Sequence, residues 1–142
     1  MSTTPDSLRI ARTFDAPSER LYRAWTDAAD LARWNSPEDG MQLWIDAVDV
    51  RVGGRYRATF GVPGEVPIVE TNEYREVVPG RRLAFDATLA RRGAVFSRTR
   101  CSVEFVDRGN RSQLVPLEEG DDAAAHAGGW GHALDRLAAL LA

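Results

Sequence analysis

The sequence predicts an α+β fold, in which an antiparallel sheet is covered on one face by a long C-terminal helix. Three observations predict it. Apolar residues recur with a period of two over most of residues 41–117, which is typical of strands. Short segments rich in glycine and proline separate these runs, and short turns favour antiparallel pairing. Residues 128–142 have helical periodicity and form the only long element available to cover the apolar face of the sheet.

The N-terminal part is predicted to hold one strand and two short helices. Residues 8–14 alternate as a strand. Pro17 suits the first turn of the next helix, where its missing N–H costs little. A second short helix is expected over 28–34, and Pro37 and Gly40 end the helical part.

The rest of the sheet is predicted from six further runs, which with residues 8–14 make about six or seven strands. They cover residues 43–52, 55–60, 68–77, 82–88, 95–106 and 112–117. The run 95–106 is the most regular. One of its faces carries Val95, Ser97, Thr99, Cys101, Val103 and Phe105. Because proline cannot donate to a strand ladder, Pro116 is expected near a strand end or a bulge.

The C-terminal helix carries a narrow stripe that starts with polar and aromatic groups and continues with leucines. At about 100° per residue, the stripe consists of His126, Trp130, Leu134, Leu137 and Leu141. Gly128, Gly129 and Gly131 surround Trp130, although each interior glycine costs a helix about 1 kcal/mol relative to alanine. We expect these glycines to admit a neighbouring backbone or to leave space beside the indole. His132 is expected to point away from the stripe into solvent.

Composition excludes several classes of function. The 142 residues suggest one domain over 1–142, and the net charge of −3 argues against nucleic-acid binding. All 18 basic residues are arginine, so a lysine Schiff base and a lysine phosphate loop are excluded. The single cysteine, Cys101, excludes an internal disulfide and a cysteine-based zinc cluster, and neither a metal nor a cofactor is predicted.

No apolar run approaches the length of a membrane span, and the first residues lack the apolar core of a signal peptide. We therefore expect a cytoplasmic protein without membrane insertion.

Four segments carry a resemblance to a known superfamily. They are FDAPSERLYRAWTDAADLARW at 14–34, DVRVGGRY at 49–56, EYREVVPGRRLAF at 73–85 and HAGGWGHALDRLAALL at 126–141. In these segments the chain resembles the START-like, Bet v 1-like (SRPBCC) superfamily. Within it, the chain is most similar to the AHSA1-like branch, the stand-alone bacterial proteins similar to the activator of Hsp90 ATPase.

The resemblance implies a helix-grip fold, in which a curved antiparallel sheet wraps the C-terminal helix and a ligand cavity lies between them. It leaves the function open, because the superfamily includes ligand carriers, polyketide cyclases, sequestering proteins and cochaperones. One departure lies at Glu70-Thr71-Asn72, where relatives more often place a glycine, so that strand is expected to bend differently.

Nine residues are predicted to bind a ligand in this cavity: Trp34, Tyr56, Phe60, Phe85, Ser97, Thr99, Cys101, His126 and Trp130. The aromatic residues supply wall area, and the small residues of the regular strand leave volume under the helix. The alternatives are that the aromatics are ordinary core and that the sheet tolerates small residues. Because histidine as a residue type titrates near neutral pH, His126 is the one candidate for catalysis, unless it only bonds to a loop. Cys101 lacks a visible partner base and is a poor nucleophile.

Three functions are compatible with these residues. The first is a binding protein for a small hydrophobic or aromatic ligand. The second is a polyketide cyclase-like or hydrolase-like enzyme that uses His126, with Tyr74 or Glu70, as acid or base, although the sequence shows no close acid–base pair. The third is an interaction module such as an Hsp90 ATPase activator. A homodimer is also compatible with the sequence.

Overall fold

The computed structural model describes residues 6–36 and 40–142, so Pro37, predicted to end the helical part, lies outside the described residues. The strands are β1 (Ser7–Arg9), β2 (Arg12–Phe14), β3 (Gln42–Val48), β4 (Arg55–Gly61), β5 (Ile68–Val78), β6 (Arg82–Arg91), β7 (Ala94–Arg108) and β8 (Arg111–Gly120). The helices are α1 (Ser18–Thr26), α2 (Ala28–Trp34), a 3₁₀ helix (Ala123–His126) and α3 (Ala127–Leu141).

The eight strands form one sheet. Their order is β1-β8-β7-β6-β5-β4-β3, and β2 also pairs with β8. Every pairing is antiparallel. The predicted α+β class is confirmed: a curved antiparallel sheet, a short helical pair after the first strands and a long C-terminal helix. The sheet has eight strands rather than six or seven because residues 8–14 form two strands instead of one.

The break between β1 and β2 lies opposite Pro116. The pairing of β1 with β8 ends at Leu117, and β2 resumes it at Leu114. Between them, the Pro116 carbonyl oxygen accepts a bond from the Ile10 N–H at 3.0 Å. Pro116 has no N–H with which to donate a bond back to residue 10, so the ladder of hydrogen bonds is interrupted there. The prediction of a strand end or bulge is wrong, because Pro116 lies inside β8 and pairs in register with Val103 of β7.

A tight turn replaces the end of the strand predicted over 43–52. β3 ends at Val48, and Gly53 has a φ of 84°. A Cβ on Gly54 would lie 2.2 Å from the Asp49 carbonyl oxygen, so no side chain fits there. The Gly53 N–H donates to the Tyr74 carbonyl oxygen at 2.9 Å, which ties the turn to β5.

The two short helices pack against each other at one end of the sheet. Pro17 precedes α1 as its N-cap residue and does not lie in the first turn. The Asp27 side chain caps α2 by accepting a bond from the Asp30 N–H at 3.1 Å. The Trp34 indole N–H donates to the Ala24 carbonyl oxygen at 2.8 Å, which fixes α2 on α1.

Helix α3 buries one side against the sheet and the helical pair. The buried residues are Ala133, Leu134, Leu137 and Leu141. Outside this stripe, Arg12 of β2 forms an ion pair with Asp135 at 2.7 Å. His132 is half-buried and its Nε2 atom is buried, so the expectation that it is only solvated is wrong. No helix of the described residues is both long enough and apolar enough to cross a membrane.

Candidate functional site

A cavity of about 310 Å³ lies between the sheet and the N-terminal end of α3. Strands β4 to β8 form one side of it, and the helical pair, the 3₁₀ helix and the first turns of α3 form the other. Its walls are Trp25, Trp34, Asn35, Phe60, Glu70, Asn72, Phe85, Ala87, Leu89, Thr99, Cys101, Glu118, Ala125, His126, Gly129, Trp130 and Ala133.

Glu118 holds the helical side of the cavity in place. The residue is only 4% exposed. Its Oε1 atom is hydrogen-bonded to Nδ1 of His126. Its Oε2 atom accepts a bond from the Trp130 indole N–H at 2.6 Å. His126 and Trp130 are four residues apart and therefore project to the same side of the helical segment, so one carboxylate reaches both. The expectation that the chain offers no close acid–base pair is wrong, because Glu118 and His126 form one.

Glu118 was not among the predicted site residues, although the alternation along β8 contained the signal. Ser112, Leu114, Pro116 and Glu118 are the buried positions of this strand. The predicted strand ended at residue 117, one position before the glutamate. Extending the alternation by one residue would have placed a carboxylate on the inner face.

Glu70 and Asn72 form a polar wall on β5. They are two residues apart and so share a face of the strand. The Asn72 amide donates to Oε2 of Glu70 at 3.3 Å. Burial raises the pKa of Glu70 to about 7, and the nearby Glu118 adds to this; the bond from Asn72 and the charge of His126 act in the opposite direction. Glu70 therefore titrates near neutral pH.

Two residues that line the cavity each have a buried polar atom without a hydrogen-bond partner among the described residues. The atoms are the indole nitrogen of Trp25, which is a donor, and Oδ1 of Asn72, which is an acceptor. Both atoms are fully buried and are therefore exceptions to the rule that buried polar groups are paired.

Aromatic rings surround this polar wall. Trp25 of α1 stacks on Trp130 of α3 with 6.0 Å between the ring centroids and an interplanar angle of 26°. Trp25 also packs on Trp34 of α2 at 4.9 Å. Phe60 and Phe85 line the sheet side. The cavity therefore combines aromatic faces with a few polar groups, which is the usual composition of a small-molecule site.

The regular strand β7 contributes two small side chains to the cavity. Thr99 and Cys101 are buried, with 3.8 Å between the hydroxyl oxygen and the sulfur. Burial raises the pKa of the Cys101 thiol, so it stays protonated and is not a nucleophile. Within the described residues, no three His, Cys, Asp or Glu side chains are grouped as a metal site requires.

Seven of the nine residues predicted to bind a ligand line the cavity: Trp34, Phe60, Phe85, Thr99, Cys101, His126 and Trp130. The other two, Tyr56 and Ser97, are buried but are not part of its walls. The Tyr56 hydroxyl accepts a bond at 2.8 Å from Asn35, which does line the cavity. The Ser97 hydroxyl lies 3.5 Å from the Asp121 carbonyl oxygen, which it approaches as a donor.

Solved structures share this fold. A protein from Chromobacterium violaceum is 28% identical, with a TM-score of 0.85 over 95% of this chain and 96% of that chain. A protein from Rhizobium loti is 26% identical, with a TM-score of 0.82 over 98% of this chain and 99% of that chain. DynU16, a protein from the dynemicin biosynthetic locus, is 20% identical with a TM-score of 0.74; the match covers 96% of this chain and 47% of DynU16, and it shows the fold alone.

Curated proteins gave no match to the chain. The family of activator of Hsp90 ATPase homolog 1-like proteins matches residues 15–142, which is nearly the whole chain. The resemblance carried by the four sequence segments is thereby confirmed. The chain belongs to the family of activator of Hsp90 ATPase homolog 1-like proteins.

Proposed function

We propose that the chain is a small-molecule binding protein whose ligand occupies the cavity between the sheet and α3. The observation that carries this proposal is an internal space whose wall combines three tryptophan rings with a few polar side chains, among them Glu70 and His126.

The size and surface of the cavity favour a small aromatic ligand. Its volume of about 310 Å³ is at the lower end of the range for ligand pockets, about 300–1,000 Å³, so it fits a molecule of one or two rings. The faces of Trp25, Trp34 and Trp130 supply stacking surfaces for such rings.

A second candidate is an enzyme that uses His126. The hydrogen bond between Nδ1 of His126 and the Glu118 carboxylate would fix the ring and leave Nε2 to act as acid or base, as in other carboxylate–histidine pairs. Glu70, with a pKa near 7, would be the second proton carrier. Turnover that persists in His126→Ala would remove this role. We rank the enzyme below the binding protein because burial keeps the Cys101 thiol on the cavity wall protonated, so that it is not an activated nucleophile.

Activation of an Hsp90 ATPase and homodimerisation stay predictions. The first rests on the family's name, and it would be tested by measuring the ATPase rate of a cognate chaperone with and without this protein. Neither is supported by a contact of the described residues.

The test of ligand binding uses 2-naphthalenemethanol, a neutral two-ring alcohol, followed by tryptophan fluorescence and by the shift in thermal midpoint. We expect saturable binding by the wild type. Gly129→Leu, which extends a side chain from the wall of the cavity, should weaken binding at least about tenfold, since the occupied volume excludes the rings. Gly131→Leu is the matched control and should bind like the wild type, because Gly131 is not part of the wall.

A second filling variant, Ala87→Leu, tests the proposal independently in case Gly129→Leu does not fold. Residue 87 lines the same cavity from β6, so this substitution does not alter the helix. Equal binding by the wild type and both filling variants would overturn the proposal. So would the failure of a panel of neutral one- and two-ring aromatics to bind the wild type at all.

A further inference from the structure

We propose that the ligand is an arylalkylamine whose ammonium group binds to Glu70, and that the matching aryl carboxylate is rejected. This rests on the proposed binding function and names the chemical class of the ligand.

The charges on the wall favour a cation. The ionisable groups that line the cavity are Glu70, Glu118, His126 and the Cys101 thiol, and no arginine among residues 6–36 and 40–142 joins them. Arginine is the only basic residue type besides histidine in the chain. Glu118 is already bonded to His126 and Trp130 through both oxygens. Glu70 is therefore the carboxylate available to a ligand.

The arginines near this part of the sheet lie on its other face. Arg82 and Arg100 pair there with Glu104 and Asp86, at 3.1 Å and 3.7 Å. A ligand carboxylate in the cavity would thus meet a like charge at Glu70 and no guanidinium. Like charges in a poorly solvated space cost several kcal/mol, which is enough to reject an anion.

Hydrogen bonding points to the same class. Glu70 lines the cavity, and among the described residues only its Oε2 atom accepts a bond, at 3.3 Å from the Asn72 amide. A carboxylate offers acceptors only, whereas an ammonium group presents three donors and no acceptor. The faces of the surrounding indoles also attract a cation.

The proposal has a pH dependence with a definite sign. Glu70 faces Glu118 from β8, His126 from the 3₁₀ helix, Cys101 from β7, Tyr56 from β4 and Tyr74 from its own strand. Burial raises the pKa of both tyrosines and of the thiol, so these three stay neutral. Protonation of Glu70 removes the charge that holds the amine. Amine affinity therefore rises from about pH 6 to about pH 8, while an alkylamine stays protonated throughout.

The experiment compares three ligands of one shape by isothermal titration calorimetry: 2-naphthylmethylamine, 2-naphthalenemethanol and 2-naphthoate. At about pH 8 we expect the amine to bind about tenfold or more tightly than the alcohol, as a charge-assisted bond allows, and the carboxylate to bind more weakly than the alcohol. At about pH 6 the ratio of the affinity for the amine to the affinity for the alcohol should be smaller. This comparison uses the wild type alone.

Glu70→Gln keeps the shape of the wall and removes its charge. It should remove the preference for the amine, so that the amine binds about as tightly as the alcohol does to the same variant. Glu119→Gln is the matched control, because Glu119 is exposed and lies beside Glu118 on the outer side of β8; it should retain the preference.

The outcomes separate this inference from the proposed function. Binding of the alcohol without preference for the amine, or a preference that survives Glu70→Gln, would overturn the amine assignment alone. Failure of all three ligands to bind would overturn the binding function itself.

Discussion

At the scale of single residues, the polar half of the cavity depends on two glutamates with different surroundings. Glu118 is buried, and its two oxygens are bonded to His126 and Trp130. Glu70 has one bond from Asn72 and faces the cavity. A buried carboxylate is tolerated where it is paired, so Glu118 orders the helical wall and Glu70 remains open to a ligand.

Removing the Glu118 carboxylate should cost both stability and order at the helical wall. Glu118→Ala leaves the Trp130 N–H and the His126 ring without their acceptor, and we expect a loss of about 1–3 kcal/mol in the free energy of unfolding. Urea denaturation measures it. Glu119→Ala, on the exposed side of the same strand, should change the free energy by less than about 0.5 kcal/mol. Equal losses in the two variants would contradict the role given to Glu118.

The raised pKa of Glu70 makes stability depend on pH. The folded-state pKa of about 7 exceeds the ordinary 4.5, so the folded protein holds this proton more tightly than the unfolded chain does. The stabilising contribution is complete below about pH 4.5 and is lost as the pH rises through about 7. Between about pH 5 and about pH 8 the loss should be roughly 1–3 kcal/mol. Urea unfolding over this range should show a steeper decline for the wild type than for Glu70→Gln, and parallel curves would contradict the pKa assignment.

At the scale of elements, α3 divides into an end that faces the cavity and an end that packs. Trp130 and Gly129 line the cavity, whereas Leu137 and Leu141 are buried in the core. The glycines around Trp130 lie inside the helix rather than in a loop. A Cβ on Gly128 or Gly131 would meet nothing within 4 Å, so no neighbouring backbone requires these two glycines. Of the three, Gly129 is the one that lines the cavity.

Gly131→Ala should therefore stabilise the protein. The added methyl group meets open space, and alanine is favoured over glycine in a helix interior by about 0.5–1 kcal/mol. The thermal midpoint and the urea midpoint should both increase, with ligand affinity unchanged. A decrease in stability would show that Gly131 has a packing role that the open space around it does not suggest.

At the scale of the whole molecule, local patterns predicted the order and type of most elements. The second helix was placed at residues 28–34, as observed. The period-two runs matched β4 to β8 within a few residues, because alternation reports which face of a strand is buried. The predicted strand bounds were wrong where a contact outside the local pattern sets the backbone conformation. Pro116 divides the strand that pairs beside it into β1 and β2, and the Gly53–Gly54 turn ends β3 early.

The candidate site was predictable only in part. The aromatic and small residues of the site could be predicted from the sequence because they belong to strands and a helix with strong apolar periodicity. Glu118 and Asn72 were not selected, since a single polar residue on a strand gives no sign of its partners. Tyr56 and Ser97 share the inward faces of their strands with residues that line the cavity, yet they are not part of its walls. Alternation along a strand predicts which residues point to the inner face of the sheet. Which of these residues line the cavity, and which are covered by a helix, depends on how the helices pack.

Periodicity and composition are enough to predict the α+β class, the order of the elements, the stripe of α3 and the absence of lysine from any site. These properties depend on neighbouring residues of one element. The bonds of Glu118 to His126 and Trp130, and the position of Glu70 and Asn72 across the same cavity, depend on how distant elements pack. Strand register and helix packing bring these residues together. Both are set by long-range burial, which no local pattern contains.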